Sequence, residues 1–246
     1  MRTVIATPTA GGTVTAAYAQ TLVAATSALT DHGADYRLLT IDGADVATAR
    51  NLLAHSFLSD PSATHILFID SDMAIDAAVF ARLLKLDAPI VGAAYAERGI
   101  DLGALHSAMA EERNLPRARA LASNFTIRMA PGEATVRDGF VEVASFGFGC
   151  VLIRRAVFGA LVDRALVEPF VSSRLKRLGI EGTVWSFFGE IALDDGGRLS
   201  EDFSFCRRVR SLGDVPLLAY VGPGVGHVGQ FTYGGPFIER LKAGPT

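Results

Sequence analysis

His65-Ile66-Leu67-Phe68-Ile69-Asp70-Ser71-Asp72-Met73 is the stretch on which the reading of the fold turns. A short run of large apolar residues passes straight into two carboxylates separated by one residue. Such a run, bounded by polar residues, reads as a strand buried on both faces. Strands of this kind lie in the middle of α/β sheets, and ligands bind beyond their carboxyl ends. Asp70 and Asp72 fall at that end. Negative charge beside a hydrophobic core is costly unless it is answered. A metal ion, a basic partner or a turn open to water would each relieve the cost. The metal is the leading reading, because Mg²⁺ and Mn²⁺ prefer oxygen ligands and commonly join carboxylates to phosphates.

Upstream of this strand the pattern is regular. Thr3 to Ala6 reads as a first strand, followed by the loop Thr7-Pro8-Thr9-Ala10-Gly11-Gly12. The loop contains neither GxxxxGK[ST] nor GxGxxG, so it carries no phosphate fingerprint. A helix follows from about Val14 to Thr30, with Tyr18, Leu22, Ala25 and Leu29 on one stripe, and Asp31-His32-Gly33 ends it. Tyr36 to Ile41 is a second strand. Asp42-Gly43-Ala44-Asp45 then turns into a helix with Val46, Ala49, Leu53 and Phe57 at helical spacing. Arg50 and Asn51 sit in that helix, and a solvated face is the commoner use of such residues.

Downstream, Asp76 reads as the cap of a short helix with Val79, Phe80, Leu83 and Leu84. Ala88 to Gly92 is another strand. The alternation β-α-β-α-β-α-β predicts a three-layer α/β/α architecture with a mostly parallel central sheet. The rhythm then breaks. Residues 96–122 are polar and weakly periodic, with Arg98, Glu111, Glu112, Arg113, Arg117 and Arg119, and read as a long functional loop. Phe125 to Met129, Thr135 to Arg137 and Val141 to Ser145, separated by Pro131-Gly132 and Asp138-Gly139, read as a small antiparallel meander. Phe146-Gly147-Phe148-Gly149-Cys150 leads into a further buried strand, Val151-Leu152-Ile153, and a helix through Val157 and Leu161. Residues 167–199 look irregular but hold Phe170, Trp185, Phe187 and Phe188. Core packing and a sugar-stacking platform are both open uses of that cluster. Ser200-Glu201-Asp202 opens a helix with Phe203, Cys206 and Val209. Val215 to Val221 is a last strand, and a glycine-rich tail carries His227 and Phe231 to Gly235.

The bulk numbers bound the function. The chain has 246 residues, 50% hydrophobic and 20% charged, with a net charge of −3. One domain spanning 1–246 is the simplest organisation. No global basic field is present to recruit nucleic acid. The two cysteines, Cys150 and Cys206, form no CxxC pair, which argues against a zinc site and fits a reducing, cytoplasmic setting. The first apolar run is too short for a signal-peptide core, and no stretch approaches the ~20 residues of a transmembrane segment.

Three signals carry the chemistry. Asp70-Ser71-Asp72 has just been described. Glu201-Asp202 admits a structural reading, because Ser200 is a good N-cap and acids favour the first helical turn. It also admits a functional one, in which a carboxylate deprotonates an acceptor hydroxyl. His227, among glycines, is either structural or a ligand for a Mn²⁺-like ion.

Together these elements resemble GT-A glycosyltransferases, in particular family 2-like members. Asp70-Ser71-Asp72 resembles their DxD, Glu201-Asp202 their ED element, His227 their metal histidine and Arg50-Asn51 the Arg-Asn pair that precedes the DxD. Phe146-Gly147-Phe148-Gly149 resembles their glycine-rich sugar-site strand. The spacing is also similar to that of the Anp/Van mannan-polymerase relatives and of small bacterial and phage members. The resemblance implies a Rossmann-like GT-A fold, Mn²⁺ or Mg²⁺, and a UDP- or GDP-linked nucleoside diphosphate sugar as donor. It places Thr7, Pro8 and Asp45 by the base and ribose, and Arg50 and Ser71 in the nucleotide site. Asp72 and His227 would hold the metal, with Asp70 contributing directly or through ribose or water. Phe148 and Gly149 would border the sugar, and Asp202, with Glu201 as second choice, would be the catalytic base. The acceptor is open among a glycan, a lipid-linked glycan, a protein and a hydroxylated nucleobase in DNA. The 96–122 loop and the Trp185 region are the candidates to bind it. Inversion and retention also stay open. The alternatives are a sugar nucleotidyltransferase, against which stands the lack of a Gly-rich loop with nearby Arg and Lys after the first strand, and a non-catalytic nucleotide- or glycan-binding module.

Overall fold

A computed structural model describes residues 1–43, 45–111, 114–170 and 182–230. Glu112, Arg113 and the 231–235 part of the tail, named above, lie outside them. Eight strands form one sheet. They are β1 (Arg2–Thr9), β2 (Asp35–Asp42), β3 (His65–Ile69), β5 (Ile90–Ala93), β6 (Ile127–Met129), β7 (Phe140–Phe146), β8 (Cys150–Arg154) and β11 (Leu218–Tyr220). Their order is β2-β1-β3-β8-β5-β11-β7-β6. β1 is parallel to β2 and β3, and β11 to β5, whereas β8 is antiparallel to both its neighbours and β7 to both of its own. Six strands therefore run one way and two, β7 and β8, run the other. The architecture is the expected mixed α/β one with a mostly parallel sheet.

Strand alternation sorts the core into two layers. Val4, Ala6, Ile66, Phe68, Val151 and Ile153 face one side. There they meet Leu53 and Phe57 of α2 (Val46–Leu58) and Phe158 of α6 (Arg155–Asp163). Phe205 of α7 (Glu201–Arg210) belongs to the same layer. Ile5, Leu67, Ile69, Cys150 and Leu152 face the other, against Tyr18, Ala25 and Leu29 of α1 (Ala16–Asp31) and Phe80 and Leu83 of α3 (Ala77–Leu86). Phe187 and Phe188 are fully buried in the first layer, where Phe188 stacks on Phe205 at 4.9 Å. Of the two uses open to the aromatic cluster, those two residues take core packing. Trp185 packs partly buried against the same layer.

Several local expectations change. The 96–122 stretch is not a loop but carries two helices, α4 (Leu102–Glu111) and α5 (Leu115–Leu121). α4 has no buried residue and α5 only Ala118, so neither shows an apolar stripe. Asn114, which caps α5 through Arg117 N–H, and Pro116 in its first turn are the signals that mark it. The meander reduces to a β6–β7 hairpin at the sheet edge, since Thr135 to Arg137 gives only one bridge, Arg137 to Phe140. Asp138 and Gly139 between them are both left-handed, at φ 52° and 83°, as a tight hairpin turn requires. Asp76 stands at the N-cap of α3 but its side chain makes no capping bond.

Two short strands complete the frame around the DxD. β4 (Met73–Ile75) pairs antiparallel with β12 (Val225–His227), with His227 opposite Met73. A further pair, β9 (Ile191–Ala192) and β10 (Arg198–Leu199), precedes α7.

Candidate functional site

The turn after β3 is pinned from three sides. Asp70 N–H donates to Gly149 C=O at 3.0 Å, and Thr15 N–H donates to Ser71 C=O at 2.9 Å. Val228 N–H donates to Asp72 C=O at 2.8 Å. Thr21, in α1, accepts from Ile75 N–H and donates to Met73 C=O. The backbone of the two carboxylates is thus fixed by α1, the β8 entry and the strand carrying His227.

A cleft of about 650 Å³ opens above this turn, at the carboxyl ends of β1 and β3. One end is bounded by Pro8, Thr9 and Val14 after β1 and by Asp45, Val46 and Ala49 of α2. The other is bounded by Asp70, Ser71, Asp72, Tyr95, Arg98 and His227. Asp45 caps α2, its carboxylate accepting from Thr48 N–H at 2.7 Å. Gly11 and Gly12 shape the loop at the first end because both have φ +65°.

The two DxD carboxylates have different partners. Asp70 accepts two bonds from Arg50, at 2.9 and 3.0 Å, and Arg50 also contacts Glu201. Arg50 is 2% exposed, which corrects the solvated-face expectation. Its guanidinium carbon lies 5.6 Å from the Phe148 ring centroid. Burial works against its charge, but the charges of Asp70 and Glu201 outweigh that and hold the proton more tightly than usual. Burial pushes the carboxyls of Asp70 and Glu201 up, with Arg50 opposing in both cases. Asn51 is also buried and accepts from Phe188 N–H at 3.0 Å, so it anchors the core.

Asp72 meets His227 Nε2 at 3.3 Å and Arg98 at 3.3 Å, both on Oδ2. Burial raises its carboxyl, but the hydrogen bond and charge of His227, with the charge of Arg98, outweigh it, and the net direction is down. His227 moves up, chiefly through its hydrogen bond to Asp72. Its Nδ1 lies 3.0 Å from Ala96 C=O. Protonated, His227 satisfies both partners, Nδ1–H donating to that carbonyl and Nε2–H to Asp72. The ring packs edge-on against Tyr95 at 5.1 Å. Among the described residues, no three or more His, Cys, Asp or Glu side chains gather as a metal cluster.

Other expected site residues lie behind the cleft. Thr7 is buried and its hydroxyl bonds Tyr18 at 2.6 Å. Phe148 is fully buried in the aromatic layer and does not reach the cleft surface. Gly149 has a packing role, because a Cβ there would stand 2.7 Å from Tyr95 Cε1 and 2.8 Å from Met73 Sδ. Gly147 makes the same room for the Tyr95 hydroxyl. The glycines seat Tyr95, a cleft residue with no signal in the sequence. Burial, then the charge of Asp70, pushes its phenol up.

Glu201 and Asp202 begin α7 beside Arg50, and neither lines the cleft. Ser200 occupies the N-cap but makes no side-chain capping bond. Its hydroxyl donates to Asp202 Oδ1, which also accepts from Phe203 N–H at 2.7 Å. Asp202 is half-buried, and its charge reaches Arg50, Asp70 and Tyr95. A second, apolar cavity of about 740 Å³ is lined by Leu115, Pro116, Phe125, Ile127 and Met129.

No protein-family model matches this sequence, and no curated protein matches it. Solved structures similar to it include the A197 protein from STIV, at a TM-score of 0.46 and 16% identity over 94% of this chain and 87% of that one. A glycosyltransferase involved in the glycosylation of the major capsid of PBCV-1 aligns at 0.35 and 8% identity, covering 68% and 65%. A CMP:2-keto-3-deoxy-manno-octonic acid synthetase complexed with CTP aligns at 0.38 and 12% identity, covering 91% and 92%. At these scores the chemistry of the cleft rests on its own side chains. No helix among the described residues is long and apolar enough to cross a membrane.

Proposed function

We propose that the chain is a metal-dependent glycosyltransferase of GT-A type that moves a sugar from a UDP- or GDP-linked donor to an acceptor hydroxyl. The observation that carries this reading is the meeting of Asp72 Oδ2 and His227 Nε2, 3.3 Å apart, in the wall of a cleft at the carboxyl ends of β1 and β3. Asp72 would supply a carboxylate oxygen and His227 an imidazole nitrogen to Mn²⁺ or Mg²⁺, the oxygen being the donor both ions prefer. The Ala96 carbonyl behind Nδ1 is the kind of partner that fixes a ligating imidazole. Asp70 has both oxygens on Arg50 and is assigned to the ribose or to a water.

When bound, the cation supplies charge neutralisation for the departing nucleoside diphosphate. Pro8, Thr9, Asp45, Val46 and Ala49 accept the nucleoside end, and Ser71 borders the phosphates. Arg50 acts from beneath, holding Asp70 and Glu201 in fixed relation. Asp202 is the general base, with Glu201 already engaged by Arg50.

A non-catalytic donor-binding module is the second reading. It is favoured by the bonds that tie Asp202 Oδ1 to Ser200 and Phe203 at the start of its own helix. Calorimetric titration with UDP, GDP and their sugars tests both. The enzyme binds one of them only with Mn²⁺, and Asp72→Ala abolishes that binding; unchanged binding in the variant removes the metal assignment. Asp202→Asn binds donor normally and stops transfer. A wild type that binds donor but transfers nothing, with Asp202→Asn changing only the melting temperature, selects the module.

A further inference from the structure

The charge of the cleft is unfavourable for the ligand just proposed. Asp45, Asp70 and Asp72 line it against a single guanidinium, that of Arg98, among the described lining residues. Asp70 is answered from below by Arg50. Asp72 is shared between His227 and Arg98. A diphosphate entering this space meets three carboxylates, and Arg98 is the guanidinium in the cleft wall that can reach it.

Arg98 sits between β5 and α4. Its side chain is 58% exposed, yet its guanidinium rests 3.3 Å from Asp72 Oδ2. Its stem lies on Gly229, where an added Cβ would stand 3.0 to 3.2 Å from the Arg98 Cβ, Cγ and Cδ. The base of the side chain is therefore bedded on a cleft residue while its tip is solvated. A solvated arginine–carboxylate contact is weak and exchangeable. A guanidinium–phosphate contact is bidentate and charge-assisted.

We propose that Arg98 is a diphosphate-binding residue with two positions, resting on Asp72 in the nucleotide-free protein and on the phosphates once Asp72 serves the cation. This rests on the donor reading given above. The exchange needs only torsions beyond the stem held by Gly229. Arg98 thereby competes with the cation for Asp72 when nucleotide is absent and assists the nucleotide when the cation is bound.

The test is calorimetry on wild type, Arg98→Gln and Arg98→Lys, with Mn²⁺ alone and then with UDP and GDP at saturating Mn²⁺. Arg98→Gln should bind Mn²⁺ alone about two- to fivefold more tightly, the worth of a lost exposed ion pair. It should bind the nucleoside diphosphate about ten- to a hundredfold more weakly, the worth of lost charged hydrogen bonds. Arg98→Lys should fall between the two. Opposite signs for the two ligands are the signature, because a merely structural arginine would shift both affinities the same way, together with the melting temperature. Equal nucleotide affinity in Arg98→Gln and wild type, or weakening of both ligands together, overturns the Arg98 assignment alone. A wild type that binds neither UDP nor GDP with Mn²⁺ overturns the donor reading and this assignment with it.

Discussion

Replacing Arg50 by methionine should expose how much of the site depends on one buried cation. Methionine keeps most of the length of the side chain and removes the charge. Asp70 and Glu201, whose side chains are 24% and 17% exposed, would then face each other's charge with no cation in contact. Removing one partner of a buried ion pair costs about 3–5 kcal/mol. Residual water at both carboxylates favours the lower end, about 3 kcal/mol. For a chain of this size each kcal/mol moves the melting temperature by about 2–4 °C, so the expected fall is about 6–12 °C. The penalty should depend on pH with a definite sign. Burial already pushes both carboxyls up, and Arg50 is what opposes it. Without Arg50 the folded state holds protons that the unfolded chain releases, so stability falls as pH rises and recovers as pH falls. Scanning calorimetry between about pH 5 and 8 should show the largest penalty at the alkaline end. Arg50→Met with Asp70→Asn should be more stable than the sum of the single effects, by about 1–3 kcal/mol. A loss below about 1 kcal/mol at the alkaline end, or a loss independent of pH, would refute the view that Arg50 neutralises two buried charges.

The glycines that seat Tyr95 and a histidine remote from the cleft give two further tests. Gly149→Ala should cost about 1–3 kcal/mol in chemical denaturation, because its Cβ overlaps Tyr95 and Met73 beside the DxD turn. Gly147→Ala meets the Tyr95 hydroxyl, so Tyr95→Phe should recover part of its loss; strict additivity would count against that contact. Burial, then Arg154, pushes the His65 imidazole below its ordinary value. Its contribution is therefore present above about pH 6.5, where the unfolded side chain is neutral, and is lost as pH falls toward the depressed folded value. His65→Gln should flatten the melting-temperature profile over that acid range, and identical slopes in variant and wild type would remove His65 as its source.

The parts of the fold legible in the sequence are those fixed by local periodicity. The β3 run announced a strand buried on both faces, and its residues divide between the two core layers. Tyr18, Ala25 and Leu29 announced the buried stripe of α1. Strand direction was not legible, because Val151-Leu152-Ile153 is equally apolar read either way, and β8 lies antiparallel between β3 and β5. α4 and α5 escaped because helices that bury almost nothing leave no stripe. The candidate site was legible where the sequence carries charge at an element's end: Asp70, Asp72, Glu201, Asp202 and His227 are all at strand or helix termini or in the turn between them. The burial of Arg50 was not legible from its residue type, because its partners are 20 and 151 positions away. Tyr95 gave no signal, and Arg98 stood out only as one charge of the polar 96–122 stretch, since their placement comes from where Gly147, Gly149 and Gly229 leave room.

The different fates of the two DxD carboxylates follow from the strand that leads to them. Along β3 the side chains of Ile66 and Phe68 point to the layer that contains α2. Asp70 continues the same two-residue alternation and so faces that layer too. There the helix presents Arg50 instead of another apolar residue, and the carboxylate is neutralised inside the protein. The strand ends at Ile69, and a turn at Ser71 and Asp72 breaks the alternation. Asp72 is thereby released from the face that holds Asp70. Antiparallel pairing of β4 with β12 then sets His227 opposite Met73, beside Asp72. A single helix arginine and a single turn therefore convert a symmetric pair of aspartates into one carboxylate neutralised by the buried Arg50 and one held by His227 and Arg98. Asp70→Asn should accordingly disturb stability more than ligand binding, and Asp72→Asn the reverse, in the same denaturation and calorimetric assays. Equal effects of the two substitutions on both properties would show that the pair acts as one unit.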